Sequence, residues 1–174
     1  MKLTRATPDD LPEIVALMNR AFRGQQGWAA EQGYIQGDRI ALKDLAAEIA
    51  AKPEMQFLVW REERVLLGCF SLEPLANGAW YLGALTVEPD RQEAKLGRRL
   101  LEEAERTARE GGAMRMELTV IWVREALIQW YLRRGYAPTG KTTPFPYDDD
   151  RWGKPQRDDL HFVWFEKSLV SSGA

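Results

Sequence analysis

Three basic residues and a glycine crowd into one short stretch, Gln92-Glu93-Ala94-Lys95-Leu96-Gly97-Arg98-Arg99, directly after the strand-like Leu85-Thr86-Val87-Glu88-Pro89. A strand that feeds a helix through a tight turn leaves the helix's first backbone N–H groups without intrahelical acceptors. The aligned peptide dipoles add positive potential at the same corner, which suits a phosphate or pyrophosphate. Lys95, Arg98 and Arg99 would strengthen that field, and Gly97 would let a ligand approach the backbone closely. The same residues also fit an ordinary amphipathic helix, because Leu96, Leu100, Ala104 and Ala108 recur as an apolar stripe beneath an exposed basic face.

Other groups with chemical capacity are scattered. Cys69 lies in an apolar strand-like run with no histidine signal beside it, and packing is its expected role. His161 has no cysteine or histidine at ligand spacing, so it is expected to be structural, and no metal site is expected. Glu31, Glu73 and Glu117 could each accept a proton, and so could a water held by strand backbone. All three are expected to be exposed or ion-paired, and none is singled out as a base.

Elements must position these groups. Thr7-Pro8-Asp9-Asp10 starts a helix: a capping hydroxyl, a proline at the first helical position and an acid three residues after the cap. Leu11, Ile14, Val15, Met18, Ala21 and Phe22 then recur at helical spacing. Residues 23–39 are rich in Gly and Gln and show no period. A second helix is predicted over about 41–52, stopping before Pro53. Gln56–Arg61 and Val65–Leu72 flank the charged turn Glu62-Glu63-Arg64, and Asn77-Gly78 signals a further hairpin into a strand over Ala79–Val87. After the helix that follows, Gly111-Gly112 supplies a stop. Met114, Met116, Leu118, Val120 and Trp122 alternate along one face of a fourth strand. A helix over 124–134, a strand near Tyr136–Lys141, a proline-rich acidic loop and a last strand over Leu160–Lys167 complete the order. A meander followed by strand, helix, strand, helix and strand implies a mixed α/β sheet with helices on its faces.

Composition bounds the function. The chain has 174 residues, 45% of them hydrophobic, and a formal net charge of -2, enough for one domain with a proper core. No basic excess exists to release counterions, so neither nucleic-acid nor membrane-surface binding is expected. One cysteine excludes an internal disulfide framework, and no membrane span or signal peptide is visible. A cytoplasmic location follows as the expectation.

The run from Leu85 to Leu101 resembles the acetyl-CoA signature of the GCN5-related N-acetyltransferases (GNAT), Gln/Arg-x-x-Gly-x-Gly/Ala opening a helix after a strand that ends in Val-x-Pro. Farther on, Ala126-Leu127-Ile128-Gln129-Trp130-Tyr131-Leu132-Arg133-Arg134-Gly135-Tyr136 resembles the family's Ala-x-x-x-x-Tyr-x-x-x-Gly-Phe/Tyr segment. The resemblance spans essentially the whole chain and implies one GNAT domain over 1–174. Its fold would be α/β, a mixed, mostly antiparallel central sheet flanked by helices. Lys95 departs from the pattern, standing where the first glycine usually sits. Its side chain must then turn outward or place its ammonium on a phosphate, and the second is the expectation.

The resemblance also implies chemistry. The free edge of Leu85, Thr86 and Val87 would pair with the pantetheine arm of acetyl-CoA, and Gln92, Glu93, Ala94, Lys95, Leu96, Gly97 and Arg98 would hold its pyrophosphate. An acceptor amine would attack the thioester directly, through a tetrahedral intermediate. Tyr131 matches the family's general acid for the leaving thiolate, although it could also merely pack in the cluster with Trp130 and Tyr136. The family often has Asn where this chain has Arg124, which could contact the cofactor or pair with Glu125 or another nearby acid, surface pairing being the expectation. Gly27-Trp28-Ala29-Ala30-Glu31 with Gly37-Asp38-Arg39 resembles a pattern from a bacterial-type GNAT subgroup, as does the later Pro144-Phe145-Pro146-Tyr147 with Arg157-Asp158-Asp159-Leu160. Trp28 would then form an aromatic wall, Glu31 hold an ammonium and Arg39 a carboxylate, while Tyr147 and Asp148–Asp150 close over the site. The acceptor would be the amine of a small metabolite, an amino acid or a related amine. Many relatives dimerise, which makes a homodimer the one protein partner to consider. The rival readings are a non-catalytic CoA-binding or regulatory module with the same fold, and an unrelated α/β domain that binds another phosphate ligand.

Overall fold

The computed structural model describes residues 1–24, 31 and 33–170, with the side chains of 92–94 excepted. In chain order, β1 (Leu3–Arg5) precedes a 3-10 turn (Pro8–Asp10) and α1 (Leu11–Arg23), then β2 (Ile35–Gln36) and α2 (Leu42–Ala51). β3 (Gln56–Glu62), β4 (Val65–Pro74) and β5 (Ala79–Val87) form the meander. A second 3-10 turn (Pro89–Ala94) then leads to α3 (Leu96–Glu110), β6 (Arg115–Ile121), α4 (Glu125–Leu132) and β7 (Ala137–Pro144). A third 3-10 turn (Asp150–Trp152), β8 (Lys154–Pro155) and β9 (His161–Ser168) follow.

Seven strands make one sheet in the order β1-β3-β4-β5-β6-β9-β7, antiparallel everywhere except between β5 and β6. Alternation on a strand sends neighbouring side chains to opposite faces, and β3 does this cleanly. Phe57 and Val59 join Ile14, Leu17 and Leu45 of α1 and α2 on one face. Leu58 and Trp60 join Leu96, Leu100 and Ala104 of α3 on the other, where Leu127 and Tyr131 of α4 also pack. The sheet is therefore covered by helices on both faces. The apolar stripe of α3 is fully used, and truncating Leu100, which has no exposed surface, costs about 2–5 kcal/mol for a buried Leu-to-Ala change.

The start at Thr7 closes as a capping box with Asp10, three residues on. The Asp10 carboxylate accepts from both the Thr7 N–H (2.7 Å) and the Thr7 hydroxyl (2.8 Å), and α1 begins after that 3-10 turn. The fourth strand starts one residue later than its pattern suggested: Met116, Leu118 and Val120 are buried, but Met114 is 57% exposed. β1 and the two-residue pair β2–β8 carry no periodicity to read, and both are additions to the sequence reading. β2–β8 closes because Gly153, at φ +89°, passes where a Cβ would lie 2.7 Å from the Gln36 carbonyl oxygen.

Two features shape the site. β5 and β6 pair only through Ala79↔Arg115, Trp80↔Met116 and Tyr81↔Glu117, then diverge while β5 stays bonded to β4 as far as Val87. Within that diverging stretch, the β4–β5 register slips between Cys69 and Ser71, and Ala84 adopts φ +52°. A non-glycine residue held there marks a bulge that the surrounding sheet enforces.

Candidate active site

The divergence of β5 from β6 opens a cavity of about 470 Å³, within the range of ligand sites. Its walls include Leu82, Gly83, Ala84 and Leu85 of β5 and Leu118, Thr119, Val120 and Ile121 of β6. β4 occupies only one edge of β5, so backbone groups of Leu85–Val87 that point away from it have no strand partner among the described residues. The Thr86 side chain is not available to a ligand. It is fully buried, and its hydroxyl donates to the Ala84 carbonyl at 2.8 Å inside the bulge.

Beyond β5, the backbone of Gln92, Glu93 and Ala94 ends the 3-10 turn, and Lys95 then flips to the left-handed region at φ +56°. This explains why glycine is favoured at that position: its backbone must turn left-handed before the helix begins. A right-handed turn followed by a left-handed residue aims successive N–H groups into one concavity, a natural anion nest. The first α3 bond runs from the Arg99 N–H to the Lys95 carbonyl, so the amides of Leu96, Gly97 and Arg98 precede it. Lys95 is exposed. The Arg98 guanidinium is bonded to Glu102 at 2.8 Å, which leaves its backbone amide as its contribution to the corner.

Tyr131 of α4 is 6% exposed and lines the cavity, with edge contacts to Trp130 and Tyr136 at centroid distances of 5.0 and 5.4 Å. Burial pushes its phenol above the ordinary tyrosine value, and the positive charge of Arg124 opposes that only partly. Tyr136 is anchored in turn, donating to the buried Glu105 carboxylate at 3.1 Å, which also holds Lys167 at 2.8 Å. The Tyr136 ring against which Tyr131 packs is thus fixed by a polar network.

Across the cavity, Arg23 organises a wall. Its Nε donates to the Gly37 carbonyl (2.8 Å), one Nη donates to the Trp152 carbonyl (2.9 Å), and the other pairs with Glu31. Glu31 is 5% exposed and also lies 3.6 Å from Arg124. Arg39 is set by Asn19 on α1, whose Oδ1 accepts from the Arg39 and Ile40 N–H groups at 2.7 and 3.1 Å. The Arg39 guanidinium stacks 4.6 Å from the Trp152 centroid and 5.3 Å from that of Phe22, and burial lowers its pKa.

Several expectations change here. Arg124 is not a surface residue: its side chain is 9% exposed, lines the cavity and faces Glu31. Glu31 is committed to two guanidinium groups, which removes it as a free carboxylate for an ammonium. Tyr147 does not line the cavity. Its hydroxyl donates to the Arg157 carbonyl at 2.9 Å and accepts from the Leu160 N–H at 2.8 Å, so it staples the loop shut from outside. Phe145 and Trp152 are the loop residues on the cavity wall. Asp149 is turned onto Arg151, whose hydrogen bond holds its carboxyl down at about 2. Trp28 lies outside the described residues. Glu117 bonds Asn77 and Arg115 where β5 and β6 are still joined, whereas Glu73 reaches the cavity and pairs with Lys52 at 2.8 Å. His161 stacks on Trp122 at 5.8 Å. The sequence reading missed Phe22, Tyr81, Phe162 and Trp164 on the wall. They read as core residues, and nothing in their spacing separates a cavity wall from a core.

The model of the acetyltransferase (GNAT) family matches residues 13–136 of this chain. The chain belongs to the GNAT family.

It is accordingly an acetyl-CoA-dependent N-acetyltransferase. Among relatives, an IAA acetyltransferase of Azospirillum brasilense is 30% identical over 105 residues, 60% of this chain and 69% of that protein. An amino-acid acetyltransferase of Pseudomonas putida is 34% identical over 94 residues, 53% of this GNAT chain but only 21% of the larger relative. Solved GNAT structures share the fold. The ribosomal-protein-S18-alanine N-acetyltransferase of Escherichia coli superposes with a TM-score of 0.70 at 16% identity, covering 99% of this chain and 96% of that one. The acetyltransferase yncA of Salmonella typhimurium, solved with its cofactor acetyl-CoA, gives 0.68 at 21% identity, covering 100% and 96%. The unpaired edge of β5 and the nest ahead of α3 fit the two polar parts of that cofactor, an amide-bearing arm and a diphosphate. Among the described residues, no helix is long and apolar enough to cross a membrane.

Proposed function

We propose that this enzyme acetylates the amine of a small metabolite, an amino acid or a related amine. The observation that carries the reading is the charged, aromatic-walled cavity continuous with the β5–β6 opening, which has Tyr131 and Arg39 on one connected surface. The names of the two relatives, an IAA acetyltransferase and an amino-acid acetyltransferase, support an acceptor of metabolite size.

Bound acetyl-CoA supplies an activated acetyl thioester. The edge of Leu85, Thr86 and Val87 would hold its amide-bearing arm, and the amides from Gln92 to Arg98, with the Lys95 ammonium, its diphosphate. Tyr131 keeps a proton on its hydroxyl throughout the neutral range, because burial lifts it above the ordinary phenol value of about 10. It delivers that proton to the departing thiolate, whose reference pKa is about 8.5. Glu73 serves the amine. It lines the cavity with Glu31 and Glu48, is not held between guanidinium groups as Glu31 is, and is oriented by its bond to Lys52.

A thiol-release assay with acetyl-CoA and a broad panel of small amines tests the reading. Release above background with at least one amine is the expected result. Tight acetyl-CoA binding with no release across the panel would sink it.

A further inference from the structure

We infer that the acceptor is an amine with an aromatic body and a carboxylate, the carboxylate seated on the Arg39 guanidinium and the ring against the cavity's aromatic walls. This rests on the acetyltransferase reading above and narrows it to a substrate class.

Arg39 stands apart among the cations of the cavity. Arg23, Arg39, Lys52 and Arg124 line the cavity with Glu31, Glu48 and Glu73; Arg23 and Arg124 address Glu31, and Lys52 pairs with Glu73. Arg39 has no carboxylate within ion-pair distance and no hydrogen-bond acceptor for its guanidinium among the described residues. Residues 25–30 and 32, the nearby stretch outside that description, are Gln, Gln, Gly, Trp, Ala, Ala and Gln, and contain no acid. This stretch of chain therefore offers no further carboxylate for the third guanidinium. Holding a half-buried charge without a direct partner is costly; burial is the first cause of the lowered pKa of Arg39, Arg23 adds to it, and Glu31 and Glu48 oppose it from beyond ion-pair distance. A bound carboxylate removes that cost, and the planar fork of Arg39 suits a bidentate contact.

The immobility of Arg39 supports a binding role. Asn19 fixes its backbone, and Trp152 and Phe22 stack on its guanidinium, so little conformational freedom remains to be lost when an anion arrives. Around it, Phe22, Tyr81, Phe145, Trp152, Phe162 and Trp164 line the same cavity. Such walls favour a flat ring by edge and face contacts, where a short aliphatic amine would leave them half-covered.

The test compares matched ligands: phenylalanine and tryptophan, their decarboxylated amines, their amides, and alanine. Two readouts are used, the shift in melting temperature with ligand alone and kcat/KM with acetyl-CoA. Phenylalanine or tryptophan should stabilise the wild type, and both the amine and the amide should lose at least tenfold in kcat/KM. Alanine should also fall by at least tenfold. Arg39→Met should erase the difference between acid and amine, and Arg39→Lys should restore part of it. Acetyl-CoA-induced stabilisation, unchanged in both variants, shows that they fold. If the wild type handles the decarboxylated amines as well as the acids, or neither binds nor acetylates either aromatic acid, the inference falls. Carboxylate-dependent stabilisation without any thiol release would instead overturn the catalytic reading and leave the carboxylate site standing.

Discussion

The Tyr81 hydroxyl lies 2.7 Å from the Thr119 hydroxyl, bridging β5 and β6 just past their last backbone pair, Tyr81↔Glu117. That bond sits at the apex of the opening from which the cavity extends, and Tyr81 is pushed above the ordinary tyrosine value by burial, against the opposing effect of the Thr119 bond. Tyr81→Phe and Thr119→Val should each cost about 1 kcal/mol of stability, the net worth of one such bond. The double variant should cost little more than either single one, because the partners are then lost together. Strictly additive losses in urea unfolding would show that the two hydroxyls do not depend on each other.

Tyr131→Phe should lower kcat by about 10²–10⁴-fold, the usual range for a positioned proton donor, while acetyl-CoA affinity by calorimetry stays within about twofold, a fraction of the 1.4 kcal/mol that a tenfold change represents. The raised phenol gives the sign of the pH dependence. Its proton is present at neutral pH and is lost only above the ordinary value of about 10. A rate that falls on raising the pH from 7 to 9 in the wild type but not in the variant would contradict this.

Lys95 and Arg64 both sit at positive φ, 56° and 70°. Arg64→Gly, in the two-residue turn between β3 and β4, and Lys95→Gly should each stabilise the fold by about 1 kcal/mol. That corresponds to about 2–4 °C in melting temperature. Lys95→Glu keeps the strained backbone and reverses the charge, and it should weaken acetyl-CoA binding about tenfold, or about 1.4 kcal/mol. Equal affinity in the Glu variant and the wild type would mean that the ammonium has no part in holding the diphosphate.

Cys69 has no exposed surface, and burial pushes its thiol up to about 12, with the Thr86 contact opposing. The native protein should not react with a disulfide reagent at pH 8, whereas the unfolded chain should release one equivalent. The native state keeps this proton after the unfolded chain has lost it, so the thiol makes stability fall as pH rises from about 9 towards about 12, by at most about 1.4 kcal/mol per pH unit. Full labelling without denaturant would show that the strand opens readily.

What could be read from the sequence was what repeats. The stripes of α1 and α3 and the alternation along β6 gave the layers, because burial on one face imposes a period over many residues. The left-handed turn at Lys95 was legible only as a departure from a glycine pattern. The cavity's wall was not legible, since Trp152 and Phe162 look like any core aromatic until the backbone opens beside them. Arg124 was misplaced for a related reason: a lone arginine between a strand and a helix reads as surface, and only the fold brings Glu31 to it from far away in the chain. β2 and β8 are two residues each and too short to carry any pattern.

The β2–β8 pair has a wider consequence. It joins residues 35–36 to 154–155 as a separate ribbon, outside the seven-stranded sheet whose β5 edge borders the cavity. The proposed acceptor site takes Arg39, Phe145 and Trp152 from the chain flanking this ribbon, and Phe22, Tyr81, Phe162 and Trp164 from α1 and the main sheet. The ribbon's share of that site can vary without disturbing the sheet, and grafting 31–40 and 145–157 from a relative would ask whether that share alone changes which amine is taken.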